Sequence, residues 1–308
     1  MSFTSNIKSE ITKQKFDKPE QISLLSGIIR NEFVEDTIKI TNENKDVANL
    51  IFNIIQKEYQ IIPKITVRKG YNYNKNYIYM IEVNKKVEEI KKDLSIDKST
   101  PNTYITDDDN LTRAYLKGLF LAKGSINDPK TSRYHLEILV NNEDYAKFIN
   151  DILNSYNLNS KILKRESKYM IYIKEAEKIG DFLRILGTTK SLLYYEDIRI
   201  YRDHVNMTNR LNNCEQANVD KIIQTAEQQI KDIELIQKYG LDLLSEKEQL
   251  AANYRLKYKE ASLQELSEII SIETEQKITK PGLHHRFDKI KKLAQKIREK
   301  ENNNDWFF

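Results

Sequence analysis

The apolar positions of this chain follow helical and strand rhythms in an order that occurs twice. Phe3 to Lys15 reads as a short opening helix, and Asp17-Lys18-Pro19-Glu20 is a start signal for the next one. There Leu24, Leu25, Ile28 and Ile29 cluster around Gly27. Thr37 to Thr41 alternates like a strand, and Val47 to Tyr59 is an amphipathic helix. Ile61 to Lys69 and Tyr77 to Val83 read as a hairpin joined through Gly70 to Asn74, with a helix at Val87 to Leu94. After the loop Ser99 to Asp109 the order begins again. The second pass runs through a helix from Leu111 to Lys123, a strand at Tyr134 to Val140 and a helix at Tyr145 to Tyr156. A hairpin over Ser160 to Arg165 and Tyr169 to Lys174, then a helix at Glu175 to Leu186, complete it.

Lys64-Ile-Thr-Val-Arg-Lys69 lies 97 positions before Lys161-Ile-Leu-Lys-Arg-Glu166, so the repeat is long enough to make two halves that close one core by packing face to face. Each half opens on a Leu-x-Gly-apolar-apolar helix, Leu25 to Ile29 and Leu116 to Phe120. A mid-helix glycine costs roughly 1 kcal/mol against alanine, so Gly118, with Ala122 one turn on, needs a packing reason. Close approach of the other glycine helix supplies one. Gly124 is expected as the helical exit, with turn signals at Asn127-Asp128-Pro129. The paired helices and the element order resemble the LAGLIDADG homing-endonuclease fold. The resemblance implies an α+β domain of degenerate pseudo-two-fold symmetry over 1–202, with α-β-β-α-β-β-α halves at about 1–104 and 105–202.

Beyond Tyr201 the rhythm changes. Asp203 to Asn218 breaks the apolar periodicity and is rich in amides, so 203–218 is expected to be a linker, leading into a helix from near Ala217 to Tyr239. Ser245 to Tyr258 is the next helix, and Ser262 with Glu265 forms a capping box before another. Lys280 to Lys300 then carries eight Lys or Arg against two acids. Leu283, Phe287, Ile290, Leu293 and Ile297 form an apolar stripe that docks this helix, leaving Lys280, His284, His285 and Arg286 toward a groove. Two helices joined by a turn, the second basic, suggest an all-α helix-turn-helix DNA-binding domain over 219–300, with 301–308 a frayed tail. Arg286 would reach a guanine edge, while Lys289, Lys291 and Lys292 suit phosphates.

Composition narrows the classes. With 308 residues, 39% hydrophobic and 31% charged, the chain has room for about two globular domains. It has no apolar run long enough for a membrane span and no apolar signal core, so the expected location is the cytoplasm. The single cysteine, Cys214, excludes an internal disulfide and a cysteine-based zinc site, and it reads as a small structural side chain. His135, His204 and His285 are too scattered for a metal cluster.

A nuclease of the homing class needs a carboxylate at the foot of each glycine helix, where metal ions bridge water, scissile phosphate and leaving oxygen. The aligned positions here are Glu32 and Lys123, and an ammonium cannot ligate a cation. Cleavage is therefore disfavoured, no cofactor or metal is expected, and Glu32 reads as a surface or capping carboxylate. Asp107, Asp108 and Asp109 read as a helix N-terminus. A concave sheet surface remains, lined by Lys64, Arg68, Lys69 and Lys75 with Tyr71 and Tyr73, and by Lys161, Lys164, Arg165 and Lys168. As a group these suggest a polyanion track or its vestige, although strand alternation turns half of them elsewhere. The rival readings are a divergent metal-dependent endonuclease and, for the first domain, a protein-interaction platform.

Particular segments resemble one family across almost the whole chain. They are Met1-Ser-Phe-Thr-Ser5, Leu116 to Pro129, Tyr134-His-Leu-Glu137, Asn209-Arg-Leu-Asn-Asn-Cys-Glu-Gln-Ala-Asn218, Ser262 to Leu266 and Ile278 to Arg286. These are similar to the WhiA family of sporulation and cell-division regulators. The resemblance implies a bacterial, non-catalytic transcriptional regulator that binds double-stranded promoter DNA chiefly through a helix-turn-helix similar to that of sigma factors. It brings Arg210 and Asn212 among the candidate DNA-binding residues, and RNA polymerase, a sigma factor or another regulator among the candidate partners. It implies association with the nucleoid and not with a membrane, and leaves the oligomeric state open. Two departures stand out: Lys280-Pro-Gly282 where the family usually has Lys-Ser-Gly, and His284-His-Arg286 where it has Asn-His-Arg. Proline is tolerated at a helix start, whereas the lost asparagine bears on base preference.

Overall fold

The computed structural model describes residues 2–69, 77–131 and 133–302, which divide into two compact units, Met1–Asp203 and His204–Phe308. In the first, α1 (Phe3–Ile11) precedes two matching halves. One half is α2 (Lys18–Ile29), β1 (Phe33–Val34), β2 (Ile38–Asn42), α3 (Lys45–Tyr59), β3 (Lys64–Lys69), β4 (Tyr77–Val83) and α4 (Val87–Asp93). The other is α5 (Asp109–Lys123), β5 (Gly124–Ile126), β6 (Leu136–Val140), α6 (Glu143–Ser155), β7 (Lys161–Arg165), β8 (Lys168–Ile173) and α7 (Ala176–Ile185). Each half forms a four-stranded antiparallel sheet, ordered β1-β2-β4-β3 and β5-β6-β8-β7. The hairpin connection 70–76, with Tyr71, Tyr73 and Lys75, lies outside the described residues, as does 303–308.

The two glycine helices start where the chain supplies caps. Asp17 and Glu20 form a reciprocal capping box on α2, and the Asp108 carboxylate accepts from the Leu111 N–H at 2.8 Å on α5. The acidic triplet is thus used at a helix start, and Asp109 pairs with Arg113 at 2.6 Å one turn on. α2 and α5 cross at Gly27 and Gly118. A Cβ on Gly118 would fall within 3.0 Å of the Leu24 backbone, and one on Gly27 would collide with the Tyr115 carbonyl. Leu24, Leu25, Ile28, Leu116, Leu119 and Phe120 around the crossing are fully buried in a single core shared by both halves. Backbone contact this close aligns the two helices and closes the core at once.

Two expectations are corrected. Gly124 ends α5 with an extended φ of −83° and passes directly into β5, so no left-handed exit is made. Glycine is needed there because a Cβ would strike the Phe120 ring. The predicted linker 203–218 is helical and lies within α8 (Thr189–Tyr239), so no helix begins near Ala217. No glycine or proline occurs between Thr188 and Tyr239. Asparagine costs a helix less than about 0.7 kcal/mol, so an amide-rich, solvent-facing stretch can lose its apolar rhythm and remain helical.

The second unit adds α9 (Glu246–Lys257), α10 (Leu263–Thr274) and α11 (Lys280–Asn302) to the end of α8. Ser262 and Glu265 form the expected capping box on α10. A core of Ile233, Ile236, Ala251, Ala252, Leu266, Ile270, Leu283, Phe287, Ile290 and Ile297 unites the four helices. At its centre lies Arg255, 1% exposed, which no sequence pattern marked. Its Nε donates to Gln229 Oε1 (2.9 Å), its Nη1 to the Tyr258 and Ala261 carbonyls, and it stacks 5.5 Å from the Phe287 ring. Burial pulls this guanidinium below its usual range, and it holds the α9 exit against the underside of α11. No described helix is long and apolar enough to cross a membrane.

Candidate nucleic-acid interface

At about 100° per residue, the buried Leu283, Phe287, Ile290, Ala294 and Ile297 define the inner face of α11. The opposite face carries His285, Lys289, Lys292 and Lys296, all exposed. Lys296, counted in the basic run of 280–300 but not singled out as a candidate there, stands four and seven residues beyond Lys292 and Lys289 and so shares their face. The remaining candidates diverge from that face. His284 and Lys291 turn toward α8 and line a cavity of about 450 Å³ with Lys221, Gln228 and Asp232. His284 Nδ1 lies 3.1 Å from Asp288 Oδ2. Arg286, expected at a guanine edge, is half-buried, and its Nη1 donates to the Lys247 carbonyl at 3.4 Å. Lys280 is exposed in the first turn beside Pro281, and Lys289 reaches Glu248 at 3.6 Å. Arg298 bonds to the buried Asp232 at 2.6 Å, fastening α11 to α8. Arg210 and Asn212 are exposed on α8, about 200° apart around the helix, and so do not share a face.

In the first unit, register sorts the hairpin cations. Lys64 pairs across β4 Glu82 with β2 Lys39, and Lys161 across β8 Tyr172 with β6 Glu137. Because Ile38, Ile40, Leu136 and Ile138 point into the core, alternation puts Lys64, Arg68, Lys161 and Arg165 on the open faces of the two sheets. Lys69 and Lys164 fall on the helix-covered side, where Lys164 sits 5.9 Å over the Tyr169 ring. Lys168, opposite Arg165, joins the open face. The open track is also partly neutralised, Lys64 lying 3.9 Å from Glu82.

At the foot of the glycine helices, Lys123 Nζ meets Glu32 Oε1 at 2.6 Å, and the Glu32 side chain is only 9% exposed. Glu32 is therefore no surface or capping carboxylate. Burial pushes its pKa up, and the bond to Lys123 pulls it back. An ammonium thus occupies the ground a bridging cation would need, and no cluster of three metal-ligating side chains exists among the described residues. Replacing Lys123 by methionine leaves a buried carboxylate without its partner. That variant loses about 2 kcal/mol at pH 7. A carboxyl raised in the fold binds its proton more tightly than in the unfolded chain. The loss therefore grows as pH rises above 4.5, the ordinary value. Urea midpoints at pH 5 and pH 7 measure it, and adding Glu32→Gln restores most of the difference.

Two αββαββα halves joined at a glycine-paired crossing, followed by a unit ending in a helix pair with one cationic face, define a protein with a LAGLIDADG-like domain and a helix-turn-helix domain. Family models make the same division. The WhiA N-terminal LAGLIDADG-like domain matches residues 24–97, the WhiA LAGLIDADG-like domain 112–205 and the WhiA C-terminal HTH domain 208–294. Proteins named probable cell division protein WhiA from Staphylococcus saprophyticus and Staphylococcus aureus are 39% and 40% identical, the match covering 98% of this chain and 99% of each relative. The crystal structure of full-length DUF199/WhiA from Thermatoga maritima superposes with a TM-score of 0.58 at 25% identity, over 96% of this chain and 99% of that one. The chain belongs to the WhiA family.

Proposed function

We propose that this chain is a non-catalytic, nucleoid-associated bacterial transcriptional regulator of cell division and chromosome segregation or of sporulation, binding promoter DNA mainly through α10 and α11. The observation that carries the reading is the division of α11 into a fully buried apolar face and an opposite face of His285, Lys289, Lys292 and Lys296. A helix docked in this way can enter a major groove with its cations along the phosphates. The names of the Staphylococcus relatives support the cell-division part. The Lys123–Glu32 pair supports the absence of strand cleavage. The open sheet faces of the first unit supply a secondary surface for DNA or a protein partner.

Fluorescence anisotropy of the full chain on duplex DNA across a salt series tests the reading. Three or four phosphate contacts give a slope of log K against log salt of about −3. Lys292→Gln flattens that slope by about one, whereas Arg68→Gln and Arg165→Gln change it less. A slope indifferent to Lys292 but flattened by the sheet variants would move the main contact to the first unit.

A further inference from the structure

A cavity of about 910 Å³ opens at the foot of α2 and α5, and no contact described above accounts for it. The N-cap Ser2 with Thr4, Ser5 and Lys8 of α1 lines one side, Thr41 to Asn44 at the end of β2 another, and Ala122 with Lys123 at the end of α5 a third. Lys123 is engaged by Glu32, so that pair adds little net charge. Lys8 differs. Among the described residues it has no carboxylate within ion-pair distance, and its Nζ stands 5.8 Å from the centre of the Phe120 ring. Glu43, exposed at the rim, attracts it from further away, and Lys123 repels it. Burial is the largest influence on its ammonium and lowers it to about 8. A half-buried cation at the wall of an open cavity is a costly arrangement unless an anion joins it.

The neighbouring donors face the same space. Ser2 Oγ accepts from the Ser5 N–H at 3.1 Å, which leaves its own proton to donate, and the Ser5 hydroxyl lies on the Lys8 side of α1. Thr4 is otherwise occupied, its hydroxyl bridging the Ile126 carbonyl and N–H. The first turn of the nine-residue α1 adds backbone N–H groups without intrahelical acceptors. We propose that this cavity binds a phosphate group, held by the Lys8 ammonium and the hydroxyls of Ser2 and Ser5. Donors from two successive turns suit a tetrahedral oxyanion, and the volume exceeds that of an inorganic ion, leaving room for an attached nucleoside-sized body. The phosphate belongs either to a free phosphorylated small molecule or to a nucleic-acid backbone. The inference does not rest on DNA binding by α11, and its failure leaves that reading intact.

Calorimetric titration of the full chain at constant ionic strength, with inorganic phosphate, adenosine monophosphate and duplex DNA in separate arms, provides the test. A free ligand is indicated when phosphate or the monophosphate binds, Lys8→Gln weakens it at least tenfold and Lys8→Arg restores it. That affinity also falls from pH about 8 to about 9.5 as Lys8 loses its proton, with the Glu32–Lys123 pair and Glu43 facing the same amine. A backbone phosphate is indicated when only DNA responds, Lys8→Gln flattening its salt slope by about one. Equal behaviour of wild type and Lys8→Gln in all three arms overturns the proposal. Should Lys8→Gln fail to fold, undiminished wild-type affinity at the higher pH overturns it as well.

Discussion

Gly118→Val costs the first unit about 3 kcal/mol or more, read as a fall in its urea midpoint. The added atoms would have to occupy space already filled by the Leu24 backbone, which cannot rotate away as a side chain can. Parting α2 from α5 would open the layer of Leu25, Ile28, Leu119 and Phe120 that both halves share. Gly282→Ala is the control, since a Cβ there meets only the Thr279 hydroxyl at 3.3 Å and lies in the second unit, so it leaves the first unit's midpoint in place and changes the second unit by no more than about 1 kcal/mol. An unshifted midpoint in Gly118→Val would show that the two helices need not touch.

Reversing three charges on one face of α11, in Lys289→Glu/Lys292→Glu/Lys296→Glu, lowers affinity for duplex DNA at least about 100-fold at moderate salt. On the proposed reading each change removes a phosphate contact and puts a carboxylate against a polyanion. All three side chains are exposed, and the only contact given up among the described residues is that of Lys289 with Glu248 at 3.6 Å, so the helices are retained and circular dichroism is unchanged. Lys292→Glu/Lys296→Glu, which keeps that contact, still lowers affinity at least about tenfold. Lys291→Glu alone has a much smaller effect, because that residue faces the α8 groove. Comparable losses from Lys291→Glu and from the triple variant would contradict the facial assignment of α11.

The glycine helices were legible because a glycine inside an apolar helix is informative: it costs stability and needs a neighbour. The repeat was legible because two hairpins of similar pattern lie 97 positions apart. Linker and helix could not be told apart at Asp203 to Asn218, since fully solvated helical residues need not keep an apolar rhythm. Spacing marked Glu32 and Lys123 as opposed positions, but not that they touch. That contact depends on the crossing angle of helices far apart in sequence. Lys69 and Lys164 were grouped with Lys64 and Lys161 because composition alone does not reveal strand register. Arg255 and Lys8 carried no local signal. Each gains its surroundings only in the folded chain, Arg255 from backbone carbonyls and the Phe287 ring and Lys8 from the Phe120 ring.

The most direct test of a reader that does not cut is the full chain on supercoiled plasmid with magnesium or manganese, followed on a native gel. The account predicts retarded plasmid that, once the protein is stripped away, runs entirely as the supercoiled form. Nicked or linear plasmid produced by the wild type and absent with Glu32→Gln would contradict it.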